Sequence, residues 1–177
     1  NPVAFLLSLD VEMRRLACKE LRAAGSETAL EAMGTALLDG SYLRSSFQRS
    51  RSTLLCAVRD IALEALELET NRRVFEKAIR ILTREFERAL SHRQCLETEM
   101  LLEMVASQGG EFAKAAVGRQ VLAVCLQNPG GIQERLLKRF GRTSELSAYG
   151  DCIKQTLSDS DQLLASASRG AKLSALE

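Results

Sequence analysis

The chain has 177 residues, 46% of them apolar and 27% charged, with a formal net charge of +1. A globular chain of this length buries roughly 70% of its unfolded surface, so folding does not depend on a disulfide framework or a metal. The near-zero net charge excludes a global field that would draw the chain to nucleic acid or to an anionic membrane.

Asn1-Pro2 reads as a cap with proline at the first helical position, opening a short helix to about Leu9. Asp10 caps a second helix, Val11 to Ala24, with Met13, Leu16, Ala17 and Leu21 on one face and Gly25 as its stop. Ser26 caps a third, Glu27 to Leu38, carrying Ala29, Leu30, Met33 and Leu37, and Asp39-Gly40-Ser41 is a turn. No residue from Tyr42 to Leu68 breaks a helix. Within it, Ser45 to Ser52 is rich in Ser and Arg, with Phe47 its only apolar residue, and a kink or loop is expected there. Thr70-Asn71 caps the clearest amphipathic helix, Arg72 to about Ser91, with Val74, Ala78, Ile81, Leu82, Phe86 and Ala89 as its buried stripe. A further helix runs from about Leu96 to Ala106 and ends at Gly109-Gly110. Glu111 to Gln127 is apolar nearly all round and is expected to be the most buried element. Asn128-Pro129-Gly130-Gly131 is the strongest turn signal. A short helix with Ile132, Leu136, Leu137 and Phe140 follows, then two more, Ser144 to Leu157 and Asp159 to Ala167.

No strand pattern appears, so the fold class is all-α. The helices form either a short α-solenoid-like array of antiparallel pairs or a compact bundle. One α-helical domain over 1–177 is expected. Because the chain begins with Asn1 rather than methionine, it reads as excised from a longer protein. Cys18, Cys56, Cys95, Cys125 and Cys152 are scattered, odd in number and set among apolar residues. Free cysteines behave so in a reducing compartment, which predicts an intracellular protein, cytoplasmic or nuclear. The longest uncharged stretch, Gln120 to Gln133, is too short and too broken to span a bilayer, and no secretory pattern is present, so no membrane partner is expected.

Asp10–Asp39 resembles a HEAT-type repeat. It has an acid and then an arginine at the start of the first helix (Asp10, Arg14), Ala17 and Leu21 on the inner face, and a glycine turn at Gly25. The second helix is apolar (Ala29, Leu30, Met33, Leu37) and closes on Leu38-Asp39. Cys18, Cys56 and Cys95 lie about one such repeat apart. The resemblance to HEAT and armadillo arrays implies a non-enzymatic surface for proteins, and sometimes for nucleic acid. Phe112–Leu122 and Tyr149–Gln155 are similar to the RNA-facing helices of Pumilio-type repeats, which implies base-reading side chains.

Arg73, Lys77, Arg80, Arg84 and Arg88 recur on one face of the helix that opens at Arg72. Such a stripe suits a phosphate backbone or a protein interface; Glu76, Glu85 and Glu87 beside it also suit a solvated, ion-paired face. Arg44, Arg49 and Arg51, with Phe47 among them, read as an arginine-rich binding loop or as a polar connection. Arg135, Lys138, Arg139 and Arg142 sit near a helix C-terminus, where cations complement the dipole. His92 and Cys95 have no second ligand pair at zinc spacing, and a single histidine leaves no histidine–acid triad elsewhere. The chain is therefore read as a non-enzymatic protein-interaction scaffold with no cofactor, metal or small-molecule substrate. An RNA-binding helical repeat and an oligomerising bundle are the alternatives.

Overall fold

The computed structural model describes residues 1–67, 71–90, 95–128 and 131–141. Thr70, His92, Pro129, Cys152, the segment Tyr149–Gln155 and the two helices expected after Ser144 lie outside the described residues. Among the described residues every regular element is helical. The α-helices are α1 (Pro2–Leu6), α2 (Val11–Ala24), α3 (Glu27–Leu38), α4 (Gln48–Glu67), α5 (Arg72–Ala89), α6 (Cys95–Gln108), α7 (Gly110–Gln127) and α8 (Gly131–Phe140).

Local chemistry sets the first boundaries. The Asn1 side chain accepts a hydrogen bond from the Val3 amide at 3.1 Å, Asp10 from Glu12 at 2.8 Å, and Ser26 from Ala29 at 3.2 Å. Each satisfies a donor that the first helical turn leaves open. Gly25 ends α2 in the left-handed region (φ 54°), where its amide reaches the carbonyls of Leu21 and Arg22. The break expected around the Ser- and Arg-rich segment falls at its start. Two short 3-10 turns, Gly40–Leu43 and Ser45–Phe47, precede α4.

α4 and α5 pair along their length at the centre of the molecule. α4 also packs on α2, α3 and α6; α5 also packs on α3, α6 and α7. α1 caps α2 and α3, and α8 lies on α7. The helices share one continuous core, as a compact bundle does, with Leu55, Val58, Phe75, Leu82 and Phe86 wholly buried at its middle. Gly109, between α6 and α7, fits this packing closely. A Cβ there would lie 2.5 Å from both Leu66 and Ala113.

Two expectations are corrected. α7 is not the most buried element: seven of its 18 residues are buried, against ten of 18 in α5 and seven of 12 in α3. Leu126 of α7 is 60% exposed, and among the described residues α7 packs mainly on α5, α6 and α8. The buried face of α2 is also turned away from the expected stripe. Met13 and Leu16 are exposed, while Arg14, Ala17 and Cys18 are buried. Arg14 tolerates burial because acceptors surround it. It donates to the Ser8 carbonyl at 2.6 Å, the Leu9 carbonyl at 3.1 Å and the Ser50 hydroxyl at 2.8 Å, and stacks over the Phe47 ring at 4.1 Å.

A buried ion pair crosses the core. Arg51 of α4 lies 3.4 Å from Glu85 of α5 and 3.5 Å from Glu97 of α6, and Glu85 also accepts from Arg88 at 2.8 Å. Glu85→Ala would leave the Arg51 guanidinium buried with only the more exposed Glu97 opposite it, and urea denaturation should show a loss of about 3–5 kcal/mol. Arg51→Met together with Glu85→Leu removes both charges at similar volume and should recover most of that loss. A cost below about 1 kcal/mol for the single variant would show that the pair is not structural.

Candidate functional site

The cationic stripe of α5 faces α3, and the two helices bound an open groove with Leu30, Gly34 and Ile81 at its base. Gly34 lets the helices approach: a Cβ there would lie 3.2 Å from the Ile81 side chain and 3.3 Å from the Arg84 guanidinium. Three cations of the stripe are engaged within the molecule. Lys77 pairs with Glu31 and, at 3.7 Å, with Glu27. Arg84 donates to the Gly34 carbonyl at 2.8 Å, with its buried Nε unpaired. Arg88 donates to the carbonyls of Leu37 at 2.7 Å and Leu38 at 3.4 Å. Those carbonyls close the last turn of α3, where an unpaired acceptor and the negative end of the helix dipole both favour a cation.

Arg73 and Arg80 differ from the other three. Both are exposed on the groove's outer rim. Arg80 donates only to the Glu76 carbonyl, at 3.4 Å, and Arg73 has no ion pair among the described residues. Glu76, between them in sequence, is paired with Arg72 at 3.0 Å. The groove thus has neutralised acids on the α3 side and two uncommitted guanidinium groups on the α5 side.

The second predicted cluster separates. Phe47 and Arg51 are buried and cannot meet a partner at the surface. Phe47 packs edge-on to Tyr42 with centroids 5.3 Å apart, and the Tyr42 hydroxyl donates to the Leu6 carbonyl at 2.8 Å. An aromatic amid Ser and Arg looks like a surface residue in sequence. Here it fills the corner between α1, α2 and α4 and forms the floor beneath Arg14. Arg44 and Arg49 are exposed.

Glu99 was not singled out by sequence. It is wholly buried in α6, 3.2 Å from both Arg135 and Arg139 of α8, and Arg139 also binds Glu103 at 2.6 Å. Burial works against the Arg139 charge, yet Glu103 and Glu99 together raise its pKa above the ordinary arginine value. The signal was available: two acids four apart on α6 match two arginines four apart on α8. Among the described residues, no three His, Cys, Asp or Glu side chains are disposed to hold a metal ion, and no helix is long and apolar enough to cross a membrane.

Cys18 and Cys125 are buried free thiols and Cys56 is a half-buried one. Burial pushes Cys18 and Cys125 from 9.0 up to about 11, and Cys56 upward as well. Their thiols stay protonated in the folded state after the unfolded chain has ionised, so folding stability is intact below pH 9 and falls as pH rises from 9 to about 11. Melting temperature should decline across that window, and the decline should flatten in a Cys18→Ala, Cys125→Ala variant. An unchanged slope would assign the alkaline loss to other groups.

Comparison with family models, curated proteins and solved structures finds no match to this chain.

Proposed function

We propose that the protein is a non-enzymatic α-helical scaffold, a short array of antiparallel helix pairs, that binds an acidic region of a protein partner on its α3–α5 face. The array reading is supported by the order of the contacts. α2–α3, α4–α5 and α6–α7 form successive pairs; the first helices of the pairs stack as α2–α4–α6 and the second helices as α3–α5–α7. Cys18, Cys56 and Cys95 fall in α2, α4 and α6, so the sequence period that accompanies the HEAT resemblance follows the first helix of each pair.

One observation carries the choice of face. Of the five stripe cations, Lys77, Arg84 and Arg88 fasten α5 to α3, whereas Arg73 and Arg80 project from the groove rim with no carboxylate partner among the described residues. Guanidinium groups in that setting suit carboxylates in a planar fork and are frequent interface anchors. RNA fits less well. Two stripe cations free of an ion pair among the described residues, Arg73 and Arg80, are few for tracking a continuous phosphate backbone.

Arg73→Glu with Arg80→Glu should leave helicity and melting temperature nearly unchanged, since neither side chain has an ion pair to lose among the described residues. The same variant should weaken binding of a short, unstructured acidic peptide by about tenfold or more. Fluorescence anisotropy with that peptide and with poly(U) is the test. Tighter, steeply salt-dependent binding of poly(U) by the unmodified protein would replace this reading with RNA binding.

A further inference from the structure

A second groove runs along the opposite pair of helices, α2 and α4. Two cavities that share Arg15, Cys18, Arg49 and Thr53 join to form it. Its floor is apolar, made by Leu6, Cys18 and Leu54 at one end and Cys56 and Ala57 at the other. Cations line the rim. Lys19 and Arg49 are exposed and have no ion pair among the described residues, and Arg15 has only a solvent-exposed pair with Glu12 at 2.8 Å. Arg22, at the far end, is held by Asp60 at 3.0 Å and Glu64 at 2.9 Å. Among the described residues Asp60 is the one carboxylate in the groove lining, and both Arg22 and Arg59 already neutralise it.

An apolar floor under uncompensated positive charge is complementary to one kind of ligand, an amphipathic segment with acidic flanks. From Val11 to Arg22 the groove follows about three helical turns, on the order of 16 Å at 1.5 Å per residue. Single-stranded nucleic acid finds no exposed aromatic platform in this lining on which to stack its bases. The aromatic side chain in the lining, Tyr42, is buried with its hydroxyl bound to the Leu6 carbonyl. We propose that the α2–α4 groove docks an acidic amphipathic helix of a partner protein, with its apolar side chains on the floor beside Cys18 and Cys56 and its carboxylates on Arg15, Lys19 and Arg49. This surface is separate from the α3–α5 face and stands whether or not that face binds.

Two synthetic peptides of equal composition test it. One places leucine at i, i+3, i+4 and i+7 with glutamate on the flanks; the other scrambles the order. The first should bind by fluorescence anisotropy and slow iodoacetamide alkylation of Cys56 by about fivefold or more, read by mass spectrometry on the fragment that carries it. The scrambled peptide should do neither. Lys19→Glu with Arg49→Glu should weaken the first peptide by about tenfold or more at unchanged circular dichroism and melting temperature, and Lys19→Gln with Arg49→Gln by about threefold. Arg73→Glu with Arg80→Glu should leave this binding within about twofold, which separates failure of one face from failure of the other. The proposal is overturned if the scrambled peptide binds equally or both rim variants bind like the unmodified protein. Protection of Cys56 by poly(U) instead of the peptide also overturns it, as does the absence of peptide binding at concentrations on the order of 1 mM.

Discussion

Four helices meet at one carboxylate. Glu85 of α5 lies against Arg51 of α4, Arg51 also reaches Glu97 of α6, and Arg88, which binds the other oxygen of Glu85, extends to the last carbonyls of α3. A charge that is almost wholly buried must be opposed by another, or its lost hydration destabilises the fold. Glu85 therefore fixes more than one contact. It sets the register of α5 on α4 and aims Arg88 at α3, while Arg51 draws Glu97 of α6 towards them. The Arg51–Glu85 distance of 3.4 Å is long for a charge-assisted hydrogen bond, so the pair acts mainly through its charges.

The same need for opposed charge bears on why 18 of the 24 basic residues are arginine. Arg14 binds the carbonyls of Ser8 and Leu9, Arg84 that of Gly34, and Arg88 those of Leu37 and Leu38. Each of these carbonyl segments lies on a different element from the arginine, or in the turn leading into its helix. A guanidinium offers five donors in a fixed plane, so it can satisfy a carbonyl and a carboxylate or hydroxyl at once. Arg88 does both, and Arg14 adds a ring contact. A lysine at these positions would keep the charge and lose the geometry. Arginine richness in this chain is in good part a device for tying helix ends to neighbouring helices. Among the described residues Arg44, Arg49, Arg73, Arg80 and Arg119 stand outside that role, exposed and without an ion pair.

Features governed by nearest neighbours were legible in the sequence. The caps at Asn1, Asp10 and Ser26, the glycine stop at Gly25 and the apolar stripe of α3 follow from groups a few residues apart. Features that depend on what packs opposite were not. The stripe Met13, Leu16, Ala17 and Leu21 maximises apolar character on α2, yet the helix turns Arg14 and Cys18 inward, because Ser50, Phe47 and the Thr53 carbonyl of α4 complete their contacts. α5 read as a half-solvated helix because of its cations. In the fold three of them are consumed by α3, and α5 becomes the centre of the core. Of the candidate site residues, Arg73 and Arg80 keep the exposure expected of them. Phe47 and Arg51 do not, since composition alone cannot distinguish a polar loop from a buried ion pair beside a ring.

The stacking order of the helices also bears on how the chain folds. From α1 to α5, each helix packs on the next and on the one after it, so native contacts are short in sequence. Loop closure is inexpensive for such pairs, and folds dominated by them form quickly. The α4–α5 hairpin is the natural nucleus, because it brings Arg51 and Glu85 together before any more distant helix is needed. Growth from that hairpin proceeds in both directions, adding α3 and α2 on one side and α6 and α7 on the other. Substitutions in α4 and α5 should then act chiefly on the folding rate, and substitutions in α8, which docks on α7 farther from that hairpin, chiefly on the unfolding rate.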